Sequence, residues 1–409
     1  MRDASANGAG NGSVGKISFY APGYFPSSKP SVPPIYATTL RRSKEALEVD
    51  GKLRDASNSQ ELWGFIASAL PRFDTGNLVV AFTTAAKVDE GGSEIHQEIF
   101  LELVERLLSS VESLEPRGLS MTAYSAAKLL FGDHRLWSQL SAASCRCCHR
   151  FGATDVAKAT WAFAKLRFVD EMPEFWQCMV EPAIAALRTG ARFVDVSMIA
   201  WAFASTQRAT AALMEEVARE TLQALPELPP RSIAGIAWAF AKAGAQHQQL
   251  FTQLRERAKL VLREFSAHDA AAFCWAFSAL GCADSSLFTE LALHLDSDGS
   301  HRATALRRLS PPLAAEFSWA LASASVEAPS VFATLQELCV SNMEILETED
   351  VCGFAWAFAT QNGTAVTFDA IARYAERYAG RLRPAEVNLL CWALNGRAQI
   401  GPRLRAAQR

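Results

Sequence analysis

Hydrophobic and polar positions along this chain follow two periods at once. Within a segment the apolar residues recur every three or four positions. Drawn at about 100° per residue, Val196, Ile199 and Phe203 share one side of a helix and Trp201 faces away from them. Between segments, the same short word returns. Around Trp161, Trp201, Trp238, Trp275, Trp319, Trp356 and Trp392 the sequence reads Trp-Ala-Phe-Ala or a close variant, such as Trp275-Ala276-Phe277-Ser278. The successive tryptophans are 40, 37, 37, 44, 37 and 36 residues apart. Two weaker copies precede them, with Tyr124 placed 37 residues before Trp161 and Thr83 placed 41 before Tyr124.

Each copy has a marked start. Six positions before the tryptophan stands a mostly polar residue (Asn77, Asp155, Asp195, Ser232, Asp269, Asp350, Glu386), followed by an aliphatic one. Carboxylates there complement the positive end of a helix dipole. Ser266 with Asp269 reads as a capping box, and Ser310 before Pro311 as a cap ahead of proline at the first helical positions. A second amphipathic run follows each first helix, as from Pro173 to Leu187, Ala211 to Leu225, Gln248 to Phe265, Pro329 to Leu346 and Thr367 to Leu382. One such hairpin cannot bury its apolar face alone, so hairpins must stack. The predicted architecture is all-α: an α-solenoid (superhelix) of about nine helix-hairpin repeats of about 37 residues over 59–409. The widest spacing predicts a surface loop around Asp296 to Arg302.

Residues 1–58 differ. They are rich in Gly, Ser, Pro and Ala and lack apolar periodicity, which reads as a disordered leader. From Ala4 to Lys44 there is no acidic residue, while Lys16, Lys29, Arg41, Arg42 and Lys44 are basic. An organellar transit peptide and a plain linker share that composition. The expected location is mitochondrion or plastid, with cytoplasm as the alternative. No uncharged stretch reaches the roughly 20 residues of a membrane helix, so no membrane partner is expected. The net charge of −3 offers no global attraction to a polyanion, and nucleic-acid contact has to come from local clustering. Nine cysteines, an odd number without a signal peptide, predict free thiols in a reducing compartment.

A helix with an Asp-aliphatic start (Asp155-Val156) and a Trp-Ala-Phe-Ala-Lys-Leu centre (Trp161 to Leu166), followed by a second helix, resembles the octotricopeptide and heptatricopeptide repeat proteins. It is also similar to the helical arrays of FAST-kinase-like and RAP-domain proteins, and the 37-residue spacing favours the heptatricopeptide type. The resemblance covers about 350 of the 409 residues. It implies sequence-selective binding of single-stranded organellar RNA, in transcript processing, stability, editing, ribosomal RNA maturation or translation. It implies no catalysis, no cofactor and no small-molecule substrate, and it adds other RNA-processing proteins as partners. The sequence stops at Gln408-Arg409 just after the ninth first helix, with no RAP domain or polar capping repeat, so the array reads as truncated. α-Solenoids also bind peptides, which makes a protein-interaction scaffold the alternative function.

Four positions after the tryptophan lies a column of Lys87, Lys128, Lys165, Ser205, Lys242, Ser323 and Thr360, interrupted by Ala279 and Gly396. Equivalent positions of a solenoid form a row, and a row of lysines and hydroxyls suits the phosphates of single-stranded RNA. These seven are the candidate RNA-binding residues. The competing reading is a solvated helix surface, where lysine is a good helix former. The tryptophan column offers stacking surfaces for bases, but a large residue recurring among alanines more often fills the groove between hairpins. From Ile371 onward the chain is locally basic, with Arg373, Arg377, Arg381, Arg383, Arg397, Arg403, Arg405 and Arg409.

Three local motifs do not change this reading. Cys145-Arg146-Cys147-Cys148-His149 matches a haem-attachment pattern and carries zinc-type ligands, yet it sits inside one repeat without a partner Cys/His pair. It reads instead as a redox-sensitive thiol cluster. Asp74-Thr75-Gly76 echoes an aspartic-protease loop, but that chemistry needs two such loops in a β fold, and Asp74 stands where a helix cap belongs. Ser125-Ala126-Ala127-Lys128 echoes a Ser-x-x-Lys nucleophile but aligns with ordinary repeat sequence at Ala162 to Lys165.

Overall fold

The computed structural model describes residues 42–88, 97–168, 170–296, 305–361 and 363–408. Among them every regular element is helical. They divide into two compact units, which meet in sequence between Glu264 and Phe265.

In the unit before Phe265, first helices alternate with second helices. The first helices are α1 (Lys44–Asp55), α3 (Thr75–Val88), α5 (Pro116–Lys128), α7 (Ala153–Lys165), α9 (Phe193–Ser205) and α11 (Pro230–Ala243). The second helices are α2 (Ser59–Ala69), α4 (Gln97–Leu108), α6 (His134–Cys147), α8 (Pro173–Arg188), α10 (Ala211–Ala224) and α12 (Gln248–Leu260). Each helix packs against the next of its own kind as well as its hairpin partner, which makes two layers. The unit after Glu264 repeats the plan. Its first helices are α13 (Ala267–Ala279), α15 (Pro311–Ser323), α17 (Thr348–Thr360) and α19 (Pro384–Leu394), and its second helices α14 (Ser285–Asp296), α16 (Pro329–Ser341) and α18 (Ala365–Tyr378). A short α20 (Pro402–Ala407) packs on α18 and α19. Both units are α-solenoids, as the periodicity predicts.

The columns explain the packing. Phe163, Phe203 and Phe240, two positions after the tryptophan, are at most 1% exposed and meet aromatic side chains of the second layer. Phe163 stacks on Phe175 with centroids 3.7 Å apart, and Trp176 meets the edge of Phe203 at 5.5 Å. Burying each such ring contributes roughly 1.5–3 kcal/mol. Small residues occupy both flanks of the first helices: Ala162, Ala202 and Ala239 on one, and Ala157, Ala200, Ala204 and Ala237 on the other, all fully buried. Side chains of this size let neighbouring backbones approach closely. The polar residue six before the tryptophan does more than complement the dipole. Asp155 accepts from Ser120 Oγ of the preceding first helix at 2.8 Å, and Asp195, 2% exposed, accepts from Thr154 Oγ1 at 3.0 Å. Asn77 donates in the same way to Asp50 Oδ1 at 2.7 Å and Ala46 O at 2.8 Å.

The end of the expected leader is helical. Residues 44–55 form α1, packed on α3 through Ala46, Val49 and Leu53. The apolar stripe is short and lies among Lys, Glu and Asp, which hides it in sequence. Arg42 anchors this start: it binds Asp74 bidentately at 2.8 and 2.7 Å and Asp50 at 2.6 Å. Asp74 also accepts from Asn77 N at 2.7 Å, so it is the cap of its helix. Burial raises the Asp74 pKa, but the Arg42 bonds outweigh it and hold the carboxyl below its usual range. Ser266 Oγ caps α13 by accepting from Asp269 N at 3.2 Å, whereas Ser310 occupies the cap position of α15 without a side-chain bond. Residues 1–41 and 297–304, which include the expected transit segment and most of the expected inter-repeat loop, lie outside the described residues.

Six first helices, four in one unit and two in the other, stop alike, in a residue of left-handed conformation six after the tryptophan position. These are Leu130, Arg167, Gln207 and Gly244 in one unit, and Gly281 and Ser325 in the other, with φ between 54° and 70°. The next residue's N–H returns to a carbonyl five back, as from Arg208 to Phe203 at 2.9 Å and from Cys282 to Phe277 at 2.7 Å. Glycine stands at only two of these six positions, and the left-handed region costs other residues about 1–2 kcal/mol. Replacing Gln207 with glycine should therefore raise stability by about 0.5–1 kcal/mol, and Gly281→Ala should lower it by about 1 kcal/mol. Denaturant midpoints of the two variants check both signs.

Candidate functional site

The outward side of each first helix carries four columns: the tryptophan, the residues seven and three before it, and the residue four after it. That last column is the end of the helix. Lys128, Lys165, Ser205, Ser323 and Thr360 are terminal helical residues, and Lys87 and Lys242 are penultimate. Lysines in that place complement the negative end of the helix dipole. The hydroxyls are engaged locally: Ser205, Ser323 and Thr360 donate to the carbonyls of Ala202, Ala320 and Ala357 at 3.1, 2.9 and 2.8 Å. Lys87, Ser323 and Thr360 are exposed, and Lys128, Lys165, Ser205 and Lys242 are half-buried. Lys87 lies within electrostatic range of Lys128 and of Arg54 of α1, which itself pairs with Asp50 at 3.5 Å. The pKa of Lys87 is lowered, first by burial and then by the charges of Arg54 and Lys128.

The tryptophan column turns inward on itself. Trp161, Trp201 and Trp238 are 4%, 4% and 3% exposed. Tyr124, Trp161, Trp201 and Trp238 run as a ladder with successive centroids 5.0, 6.5 and 6.5 Å apart. Each ring packs against the next, tilted from Tyr124 to Trp201 and stacked from Trp201 to Trp238, which is the groove-filling role. In the other unit the column opens: Trp319 and Trp356 pair at 6.3 Å and are half-buried, and Trp392 is 49% exposed.

Lys158 stands three before Trp161, on the same face, and was not among the candidates because only the column after the tryptophan shows a lysine run. Its ammonium bonds Met121 Sδ at 2.9 Å and lies 5.7 Å over the Tyr124 ring. Burial, then the charge of Arg117, pushes its pKa down to about 8. Around it, Arg117 Nε, Trp161 Nε1 and Trp201 Nε1 are buried donors with no acceptor among the described protein groups. The charges acting on Lys158 are of both signs, Arg117 and Arg192 against Asp155 and Asp195.

The basic C-terminal segment separates into different roles. Arg383 pairs with Glu349 and Glu386, and Arg397 bonds the carbonyls of Ala393 and Ala359 and stacks on Phe368. Arg373 and Arg377 line an open groove of about 430 Å³ with Tyr374, Tyr378, Met343 and Glu344. Among the described residues no helix is long and apolar enough to cross a membrane.

Compared with models of known families and with the sequences of curated proteins, the chain matches none.

Lys158 carries a testable consequence. With its folded pKa depressed, the folded chain binds fewer protons than the unfolded one between about 8 and the ordinary 10.5, so stability rises as pH climbs through that window. At neutral pH the charged amine costs stability. Lys158→Met should gain about 1–3 kcal/mol there and remove the alkaline rise, as read from denaturant midpoints across pH.

Proposed function

We propose that this protein is a non-catalytic single-stranded RNA-binding repeat protein of the octotricopeptide/heptatricopeptide kind, acting in mitochondrial or plastid transcript processing, stability, editing, ribosomal RNA maturation or translation. The observation that supports this reading is that Lys87 and Lys128, at the C-terminal ends of neighbouring first helices, lie within electrostatic range of each other, with Arg54, itself paired with Asp50, acting on Lys87 as well. Cations assembled at a cost to one another favour a polyanion that relieves the repulsion. Lys158, whose ammonium lies over the Tyr124 ring, adds a further cation on the same face. In this reading the phosphates run past the helix ends, and the buried tryptophans serve as the floor rather than as base-stacking surfaces. Repeat proteins of this shape read about one base per repeat with two or three side chains.

The test is selection of the full chain against a randomised single-stranded RNA pool across a salt series. Wild type should enrich a defined sequence, with affinity falling steeply with salt, by about 0.7 log units per log unit of salt for each phosphate neutralised. Changing Lys87, Lys128, Lys165 and Lys242 together to alanine should weaken binding at least about tenfold and flatten that slope. Lys158→Met separates binding from folding, because it should weaken RNA binding while stabilising the chain. Absence of enrichment, or binding indifferent to the four lysines, points to the protein-interaction scaffold.

A further inference from the structure

Three thiols that the RNA reading does not use meet on the opposite layer. Cys145 lies in the last turn of α6, Cys148 directly after that helix, and Cys178 in the second turn of α8. These two second helices belong to consecutive hairpins and pack side by side. Cys145 Sγ reaches Glu174 O at 3.5 Å, one helical turn before Cys178 on α8. Cys178 Sγ donates to Phe175 O of its own helix at 3.2 Å, and Cys145 and Cys148 lie close enough to act on its thiol. Cys147 turns elsewhere, donating to Ala143 O of its own helix at 3.3 Å. The three meeting thiols are half-buried, so a small oxidant can reach them. Among the described residues no His/Cys/Asp/Glu group is arranged to hold a metal ion.

We infer that these thiols form a thiol–disulfide site, in which Cys178 closes a bond to Cys145 across α6 and α8 and Cys148 is its alternative partner. The reacting co-substrate is a low-molecular-weight disulfide such as oxidised glutathione. Cys145 is the attacking sulfur. Cys178 beside it, and then the charge of Arg146, draw its pKa below the ordinary thiol value against burial and the charge of Glu174, whereas Cys145 and burial raise that of Cys178. The Cys145 thiolate attacks one sulfur of the small disulfide, forming a mixed disulfide and releasing one thiolate. Cys178 then loses its proton to solvent and attacks Cys145 Sγ, releasing the second thiolate. Two protein thiols are oxidised by two electrons, and one external disulfide is reduced to two thiols. The product staples neighbouring hairpins in the layer where helices touch least.

The experiment treats the full chain with a series of glutathione redox buffers at neutral pH, alkylates the remaining thiols and maps the peptides by mass. The expected result is Cys178 bridged to Cys145 with the loss of two hydrogens, together with a raised Tm. In Cys145→Ser the bridge should move to Cys148, and Cys147→Ser should leave it unchanged, with far-UV circular dichroism confirming that each variant is folded. The wild-type map stands even if a variant fails to fold. Cys178 remaining free overturns the inference, whether the other thiols stay reduced, keep mixed disulfides or bridge through Cys147.

Discussion

Close approach between successive first helices is the condition on which the rest of this structure depends. Alanines on both flanks, such as Ala162 and Ala202 on one and Ala157, Ala200 and Ala204 on the other, leave no side chain long enough to hold the backbones apart. Dispersion over that seam is small per atom pair and large in sum. The second helices meet through bulkier residues, including Trp137, Phe175 and Trp176, and touch one another more sparsely. Two layers of unequal spacing bend a unit toward the tighter one. The same geometry leaves the tryptophans nowhere to go but over the seam, where each covers the junction below it and abuts its neighbour. Because each hairpin is stabilised mainly by the next, loss at one seam is felt locally and transmitted only through neighbours.

Hydrogen bonds set the register of that seam. An alanine surface is smooth and resists sliding poorly, whereas Ser120 to Asp155, Thr154 to Asp195 and Asn77 to Asp50 each fit only one axial offset. Buried polar groups of this kind add little net stability but penalise every alternative in which they lose a partner. Arg42 plays this part at the chain's described start, where Asp50 is only 2% exposed and is held by Arg42, Asn77 and Arg54 together.

Most of the fold was legible because the tryptophan, phenylalanine and alanine columns repeat, and repetition turns weak local signals into one strong one. Glycine marked the helix stops at Gly244 and Gly281 but could not mark Leu130, Arg167, Gln207 or Ser325, which reach the same backbone shape under tertiary constraint. Helix α1 was hidden because three apolar residues among charges carry almost no periodic signal. The candidate surface was only partly legible. A helical wheel identifies a face but not an end, so it could not show that the lysine column coincides with helix C-termini, where Ser205, Ser323 and Thr360 turn their hydroxyls to backbone carbonyls. Lys158 lacked a run to advertise it, and its environment comes from Met121 and Tyr124, 37 and 34 residues away.

The net charge of −3 is a poor guide to what this surface offers a ligand, because much of the charge is already paired within the second layer and its connections. Arg135 binds Glu105 and Asp133, Arg146 binds Glu112, Arg150 binds Glu115, and Arg188 binds Glu216, mostly from one hairpin to the next. Such pairs contribute little to stability, and beyond a Debye length of about 8–10 Å their fields largely cancel. The first-helix edge is different. There Lys128 and Arg54, the latter also paired with Asp50, act on Lys87 with the same sign. A polyanion approaching to within a few ångströms meets this local excess rather than the sum over the chain. An acidic total and a locally basic edge are therefore compatible on one molecule.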